Sequence, residues 1–179
     1  MARFSRDVII TEKIDGTNAQ IVIEQDGTFL CGSRTRWIIP GDDNFGFAKW
    51  AHENKDELMK LGPGQHFGEW WGQGIQRHYG IKEKRFSLFN VSRWINDESE
   101  RIDPKQEIKP ACCHIVPVIF RGPMDSINEM VKDAVGELIH KGSRAAPGFP
   151  EPEGVIIWHT ASNTGYKKTL VDDHKHKSQ

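Results

Sequence analysis

The seven residues Glu12-Lys13-Ile14-Asp15-Gly16-Thr17-Asn18 constrain this chain more than any other stretch. Apolar Val8, Ile9 and Ile10 lead into them and an alternating segment over 19–25 follows. The heptapeptide therefore reads as the exit from one strand and the entry to another. Side chains of an extended chain repeat every two residues, which puts Lys13 and Asp15 on one side. Gly16 permits a tight turn and a close approach of backbone to a ligand. A lysine so placed can act as a covalent nucleophile if its surroundings favour the neutral amine. Taken alone, Lys-x-Asp-Gly equally describes a strand end with a surface lysine running into a turn.

The rest of the chain supplies context. Residues 8–12 read as a strand. Over 19–25, Ile21 and Ile23 fall on one face, with Gln20, Val22 and Glu24 on the other. Asp26-Gly27 is a hairpin signal. Residues 28–33 return as the second strand and bring Arg34 back toward Lys13. Asp42-Asp43-Asn44 can cap a helix running to about Leu61, where Gly62-Pro63-Gly64 stops it. Strands are predicted over 65–71, 85–91 and 114–120. Trp70 and Trp71 would then point to opposite faces, with one of them in the core. The polar stretch 92–111 reads as a mobile surface segment. Ser126-Ile127-Asn128-Glu129 forms a capping box. The helix behind it places Met130, Ala134 and Leu138 at helical spacing and ends at Gly142. Residues 145–152 form a Pro/Gly-rich loop, 154–159 a central strand, and 165–171 its partner. Strands and helices mix without regular βαβ alternation, so the predicted class is α+β. One domain is expected over 1–171, with no internal repeat, followed by a charged, frayed tail over 172–179.

Composition excludes several classes. The 179 residues suffice for one sizeable core. Hydrophobic residues make up 37% and charged residues 27%, the profile of a globular chain. The net charge of −1 announces no polyanion partner, so nucleic-acid binding would need a local basic surface. Cys31, Cys112 and Cys113 make no disulfide framework. The adjacent pair Cys112-Cys113 before His114 lacks the spacing of a structural zinc site. Structural cysteines in a reducing compartment are expected. No apolar run reaches transmembrane length and no signal peptide is visible. The expected location is cytoplasmic, or the host cytoplasm for a viral protein, with no membrane partner.

The heptapeptide resembles motif I of the covalent nucleotidyltransferases: ATP-dependent RNA ligases, DNA ligases and mRNA capping enzymes. Further stretches resemble the other motifs of that superfamily, in order. Ser33-Arg34-Thr35-Arg36 is similar to motif Ia, and Phe67-Gly68-Glu69-Trp70 to motif III. Phe86-Ser87-Leu88-Phe89-Asn90-Val91 resembles motif IIIa, with Asn90 where many relatives carry aspartate. Glu153-Gly154-Val155-Ile156-Ile157 resembles motif IV and Tyr166-Lys167-Lys168 motif V. The string continuing through Trp71-Gly72-Gln73-Gly74-Ile75-Gln76 is similar to RNA ligases of the phage double-strand-repair type. The usual motif V spaces its two lysines by one residue; here they are adjacent. The resemblance runs from about residue 7 to about residue 170.

The resemblance implies an adenylation domain of the ligase/capping-enzyme type, with antiparallel sheets flanked by helices. It implies ATP and Mg²⁺ (or Mn²⁺), and self-adenylation of Lys13. Glu12, Asp15, Asn18, Arg34 and Glu69 would serve the nucleotide, with Glu69 on the ribose and Asn18 acting also in ligation. Arg36 is the alternative to Arg34. Phe89 would stack on the base, against the alternative of a core phenylalanine, and Phe86 is left in the core. Lys167 and Lys168 would supply charge at the α-phosphate. Glu153 would be the metal-side carboxylate. The partner would be RNA with 5′-phosphate and 3′-hydroxyl ends, a nicked duplex being the expected form. A DNA ligase or GTP-using capping enzyme is the nearest alternative, but such relatives carry an OB-fold domain behind motif V. Only twelve residues follow Lys167 here, so neither an OB nor another C-terminal domain is expected. A non-catalytic RNA-binding relative is the alternative from another class.

Overall fold

The Glu12–Asn18 stretch is shared between two sheets. The structure, a computed structural model, describes residues 7–170. In chain order the elements are β1 (Asp7–Lys13), β2 (Thr17–Ile23), β3 (Phe29–Ser33), β4 (Trp37–Ile38), α1 (Phe47–Glu53), α2 (Lys55–Leu58), β5 (Gly64–Gly72), β6 (Lys84–Leu88), β7 (Trp94–Ile95), β8 (Glu107–Ile108), β9 (His114–Ile115), β10 (Val118–Pro123), α3 (Ile127–Lys141), β11 (Gly154–His159) and β12 (Thr164–Thr169). Short 3-10 turns occupy Met59–Leu61, Glu98–Glu100 and Met124–Ser126. The fold mixes helix with mainly antiparallel sheet. The pairs β6–β9 and β7–β8 are parallel. The chain forms two compact units, and the division falls between Asp15 and Gly16 and again between Ile115 and Val116.

The first unit is a four-stranded antiparallel sheet in the order β10-β1-β11-β12, with α3 on one face. Val8 and Ile10 of β1 and Val155 of β11 pack with Ala134 and Leu138 of α3. The period-2 pattern of the strands and the 3.6-residue pattern of the helix meet there. The helix runs as its apolar spacing predicts, but the capping box does not form. Ser126 makes no side-chain cap bond, because a 3-10 turn runs straight into the helix.

The second unit carries a six-stranded sheet in the order β4-β3-β2-β5-β6-β9. Its core face is built from Ala19, Ile21 and Ile23 of β2, Trp70 of β5, and Phe86 and Leu88 of β6, packed with Phe47, Ala48 and Ala51 of α1. The Asp26-Gly27 hairpin forms. Gly27 adopts φ +85, and Thr28 N–H donates to the Asp26 carboxylate at 2.9 Å. This hairpin joins β2 to β3, so it returns Arg34 to the Gly16–Asn18 end of β2, while Lys13 belongs to the other sheet.

Several expectations need correction. The helix predicted to start behind Asn44 begins at Phe47 and breaks at Asn54. Asp43 does cap its start, accepting N–H bonds from Ala48 at 2.7 Å and Lys49 at 2.9 Å. At the break, the Asn54 side chain donates to the Trp50 carbonyl at 2.8 Å, a local bond that competes with continued helix. The stretch 92–111, expected to be irregular and mobile, carries short elements and buried anchors. Trp94 and Ile95 are buried in β7, the Arg93 guanidinium sits 4.3 Å from the Trp94 ring centroid, and Arg93 Nε donates to Glu107 at 3.1 Å. The strand expected over 114–120 is two strands in different units, interrupted at Pro117, whose carbonyl accepts from Glu12 N–H at 2.9 Å. Trp70 and Trp71 are both buried. Trp70 joins the Phe47, Trp50 and Phe86 rings, while Trp71 packs edge-on against Tyr79 and donates to Ser87 Oγ at 2.9 Å. The tail 172–179 lies outside the described residues.

Candidate functional site

In the first unit, Lys13 ends β1 opposite Gly154 of β11, and its ammonium is ion-paired with the Glu153 carboxylate. Both side chains are largely buried, at 23% and 15% exposed, so the pair is poorly screened by water. Gly154 lets β12 come close to β11: a Cβ there would lie 2.1 Å from the Lys168 carbonyl oxygen. Register then separates the two lysines of β12. Lys13 pairs with Gly154 and Gly154 with Thr169; Thr11 pairs with Ile156 and Ile156 with Lys167. Facing partners in a sheet share a side, and residues two apart share it too. Lys167 therefore lies on the Lys13 side. Lys168, opposite Val155, lies on the α3 side with Glu12.

Glu12 does something sequence spacing could not reveal. Its carboxylate is buried and closed over by the loop behind α3. Ser143 Oγ donates to it at 2.6 Å, and the Arg144 and Ala145 amides donate at 2.8 and 2.9 Å. Burial nevertheless pushes its pKa above the usual carboxylate value, the hydrogen bonds offsetting only part of the desolvation. Its side chain is thus occupied with protein, not placed for the nucleotide as expected of it. Arg144 ties the loop further, donating to Glu137 of α3 and to the Val118 carbonyl. Asp15, half-buried, is the last residue before the chain enters the second unit.

In the second unit, one face of the sheet is core and the other gathers the polar motif residues. Asn18 pairs with Glu69 across β2–β5, and Glu69 with Ser87 across β5–β6. Buried Glu69 accepts from the Gly16 amide at 3.0 Å and from Asn18 Nδ2 at 3.1 Å. Gly16 is required here by close approach: a Cβ would lie 2.5 Å from the Trp70 carbonyl oxygen and 2.7 Å from Trp71 Cβ. The near neighbour is the β5 backbone, where a ligand was expected. Phe89 is 41% exposed, so the core alternative for it fails; Phe86, fully buried, is core. The Phe89 amide donates to the Phe67 carbonyl at 3.0 Å, and Phe67, 50% exposed, stands beside it on the Glu69 side. Arg36 is committed to structure, donating to Asp42 Oδ2 at 2.6 Å and to the Asp43 carbonyl at 3.2 Å. Arg34 is exposed, and no ion pair holds it among the described residues.

The cysteines offer no rival chemistry. Burial pushes the Cys31 thiol up to about 12, and the neighbouring Cys112 sulfur raises the buried Cys113 thiol. Among the described residues, no group of three or more His, Cys, Asp or Glu side chains could cage a metal ion.

A family model described as RNA ligase matches residues 6–170. The chain belongs to the RNA ligase family. Solved structures of RNA ligases share its fold. An apo mutant of the Naegleria gruberi RNA ligase superposes with a TM-score of 0.63 at 16% identity, covering 94% of this chain and 50% of that one. Another mutant of the Naegleria enzyme, with AMP and Mn, gives 0.64 at 15%, covering 94% and 51%. An archaeal ATP-dependent RNA ligase gives 0.62 at 19%, covering 94% and 44%. The chain thus spans about half the length of the RNA ligase structures it matches.

Two residues of this family member were missed from the sequence. Phe67 was legible in principle, since Phe67, Glu69 and Trp71 alternate along β5. Ser143 was not: it meets Glu12 across 131 positions of sequence.

Proposed function

We propose that this chain is the nucleotidyltransferase (adenylation) domain, spanning 1–171, of an ATP-dependent RNA ligase. The observation that carries the reading is the Lys13–Glu153 pair with Lys167 on the same side of the sheet.

Lys13 Nζ attacks the α-phosphorus of ATP, a P–N bond forms, the bond to the β-phosphate oxygen breaks, and pyrophosphate leaves. Lys13 attacks as the neutral amine. Among the described residues there is no all-protein cage for Mg²⁺ or Mn²⁺; Glu153 would be the carboxylate that holds such an ion at the phosphates. Held by Glu153, such an ion would supply positive charge against the phosphate oxygens. Lys167 and Arg34 bind phosphate oxygens, Arg34 with its planar fork. Phe89 stacks on the base, Glu69 accepts from a ribose hydroxyl, and Asp15 orients the Lys13 end of the site. Glu12 acts indirectly, by fixing the strand end that carries Lys13.

In the second step an RNA 5′-phosphate oxygen attacks the AMP phosphorus and the P–N bond breaks, restoring the amine. In the third, an RNA 3′-hydroxyl attacks the 5′-phosphorus and AMP leaves. A nicked duplex presents both ends together, which makes orientation the main contribution to catalysis.

Incubation with Mg²⁺ and α-labelled ATP, beside Lys13→Ala, tests the first step by label on the denatured protein and by intact mass. Covalent AMP absent from the mutant is the expected result. No adduct with ATP or GTP would overturn the assignment of an enzyme. Label on AMP-capped nicked RNA, in preference to nicked DNA, tests the remainder.

A further inference from the structure

One segment of the second unit is anchored in the core yet lies outside the nucleotide site proposed above: the turn that leaves β5 through Gly74-Ile75-Gln76-Arg77-His78-Tyr79-Gly80. Gln76, His78 and Tyr79 take φ of +45, +59 and +50. Left-handed backbone is unfavourable for residues with a Cβ and persists only where the surroundings impose it. Here they do. Ile75 and Tyr79 are buried, and Tyr79 packs edge-on to Trp71 with centroids 5.0 Å apart. Ile75 N–H donates to the Gly72 carbonyl at 3.0 Å, and Gly74 N–H donates to His78 Nδ1 at 3.1 Å. Two buried anchors thus hold the exposed side chains of Gln76 and His78 outward.

The charge around this turn differs from that of the chain. Residues 76–85 hold Arg77, Lys82, Lys84 and Arg85 against one acid, Glu83, a formal +3, whereas the whole chain carries −1. Lys84 donates to the Phe45 carbonyl at 2.7 Å, and Arg85 to Glu83 at 2.9 Å. Gln76 and Lys82 are exposed, and among the described residues neither side chain makes a hydrogen bond or ion pair. The turn also borders the polar face. Gly72 lies three residues beyond Glu69, about 10 Å along the strand.

We propose that this held turn is a contact for the sugar-phosphate backbone of the RNA substrate, with Gln76 and Lys82 meeting phosphate oxygens during the RNA-dependent steps and not during self-adenylation. The inference rests on the RNA ligase reading for its partner. A preformed turn loses little conformational freedom on binding, and phosphate contacts fix position without reading sequence.

The test uses the 179-residue chain, α-labelled ATP, and a nicked RNA duplex with a 5′-phosphate. Gln76→Gly suits the left-handed backbone and removes the side chain without disturbing the turn; Lys82→Glu reverses an exposed charge. Together they should weaken RNA binding about tenfold or more and lower the log–log salt slope by about one. Lysyl-AMP formation should keep its wild-type rate. Unchanged RNA affinity and salt slope in the double variant, or an equal fall in lysyl-AMP formation, would overturn the proposal, as would a wild-type protein that does not bind the duplex. Salt-dependent RNA binding lost in the double variant, by a wild type that forms no lysyl-AMP, would keep this contact and sink the enzymatic reading alone.

Discussion

Glu12 and Ser143, 131 positions apart, meet through a 2.6 Å hydrogen bond that closes the loop behind α3 onto the strand carrying Lys13. Removing a hydrogen bond to a buried charged group costs about 1.5–3 kcal/mol, so Ser143→Ala should destabilise the fold by that order. Ser143→Thr should recover part of it. Urea unfolding of the three proteins measures both effects, and an alanine variant as stable as wild type would show that water substitutes for the hydroxyl.

The same carboxylate gives a pH dependence. Burial holds the folded-state pKa of Glu12 above its usual value near 4.5. In that window the folded state binds more protons than the unfolded state, so stability falls as pH rises. The contribution is fully present below about pH 4.5 and is lost as pH climbs through the raised value. The stability difference between wild type and Glu12→Gln should therefore shrink from pH 4 toward neutrality. A difference that grew would mean the three donors outweigh desolvation.

Lys167 and Lys168 should separate in self-adenylation. A charge aimed at the α-phosphate contributes about 10²–10³-fold when it acts in the transition state. Lys167→Ala should lose activity on that scale, while Lys168→Ala, on the α3 side, stays near wild type. Single-turnover lysyl-AMP formation decides it, and equal losses would refute the division by face.

Arg34 and Arg36 should part in the opposite sense. Arg36 is 44% exposed and held by Asp42, so Arg36→Ala should cost no more than about 1 kcal/mol of stability. Arg34→Ala should leave the melting temperature unchanged and lower kcat/KM for ATP. A fall in melting temperature for Arg34→Ala without loss of activity would reverse the assignment.

Phe89 stands in solvent beside Phe67, and stacking on a base contributes roughly 1–3 kcal/mol. Phe89→Ala should raise the KM for ATP by that factor, and Phe89→Tyr should restore it. Phe67→Ala should show a smaller rise if the two rings form one wall of the base slot, and none if Phe67 is a bystander.

Local grammar made much of the fold legible. The Asp26-Gly27 turn, the apolar spacing of α3 and the apolar run of β11 each specify their element without help from distant residues. Individual side-chain contacts that no periodicity announces decided what failed. Asn54 breaks its helix through a bond to Trp50, Arg93 pins its segment over Trp94, and Pro117 splits a strand between two units. The site shows the same limit. Residue types at Lys13, Glu69 and Glu153 can be read along the chain, whereas the sorting of Lys167 from Lys168 needs a register across three strands. The engagement of Arg36 needs Asp42 folded back on it, and the cover over Glu12 comes from the far end of the sequence.

The adjacency of Lys167 and Lys168 has a further consequence. A strand that slips by one residue exchanges its two faces. In most strands that would carry the needed group away from the reaction. In β12 it would replace one lysine by the other, so the Lys13 side would stay cationic in either alignment. Gly154 belongs to the same junction: its lack of a side chain lets the Lys168 carbonyl oxygen come within 2.1 Å of where a Cβ would stand, so β12 can close on β11 in the observed alignment. The doubled lysine makes the chemistry tolerant of misalignment, and the missing side chain at Gly154 lets the observed alignment close tightly.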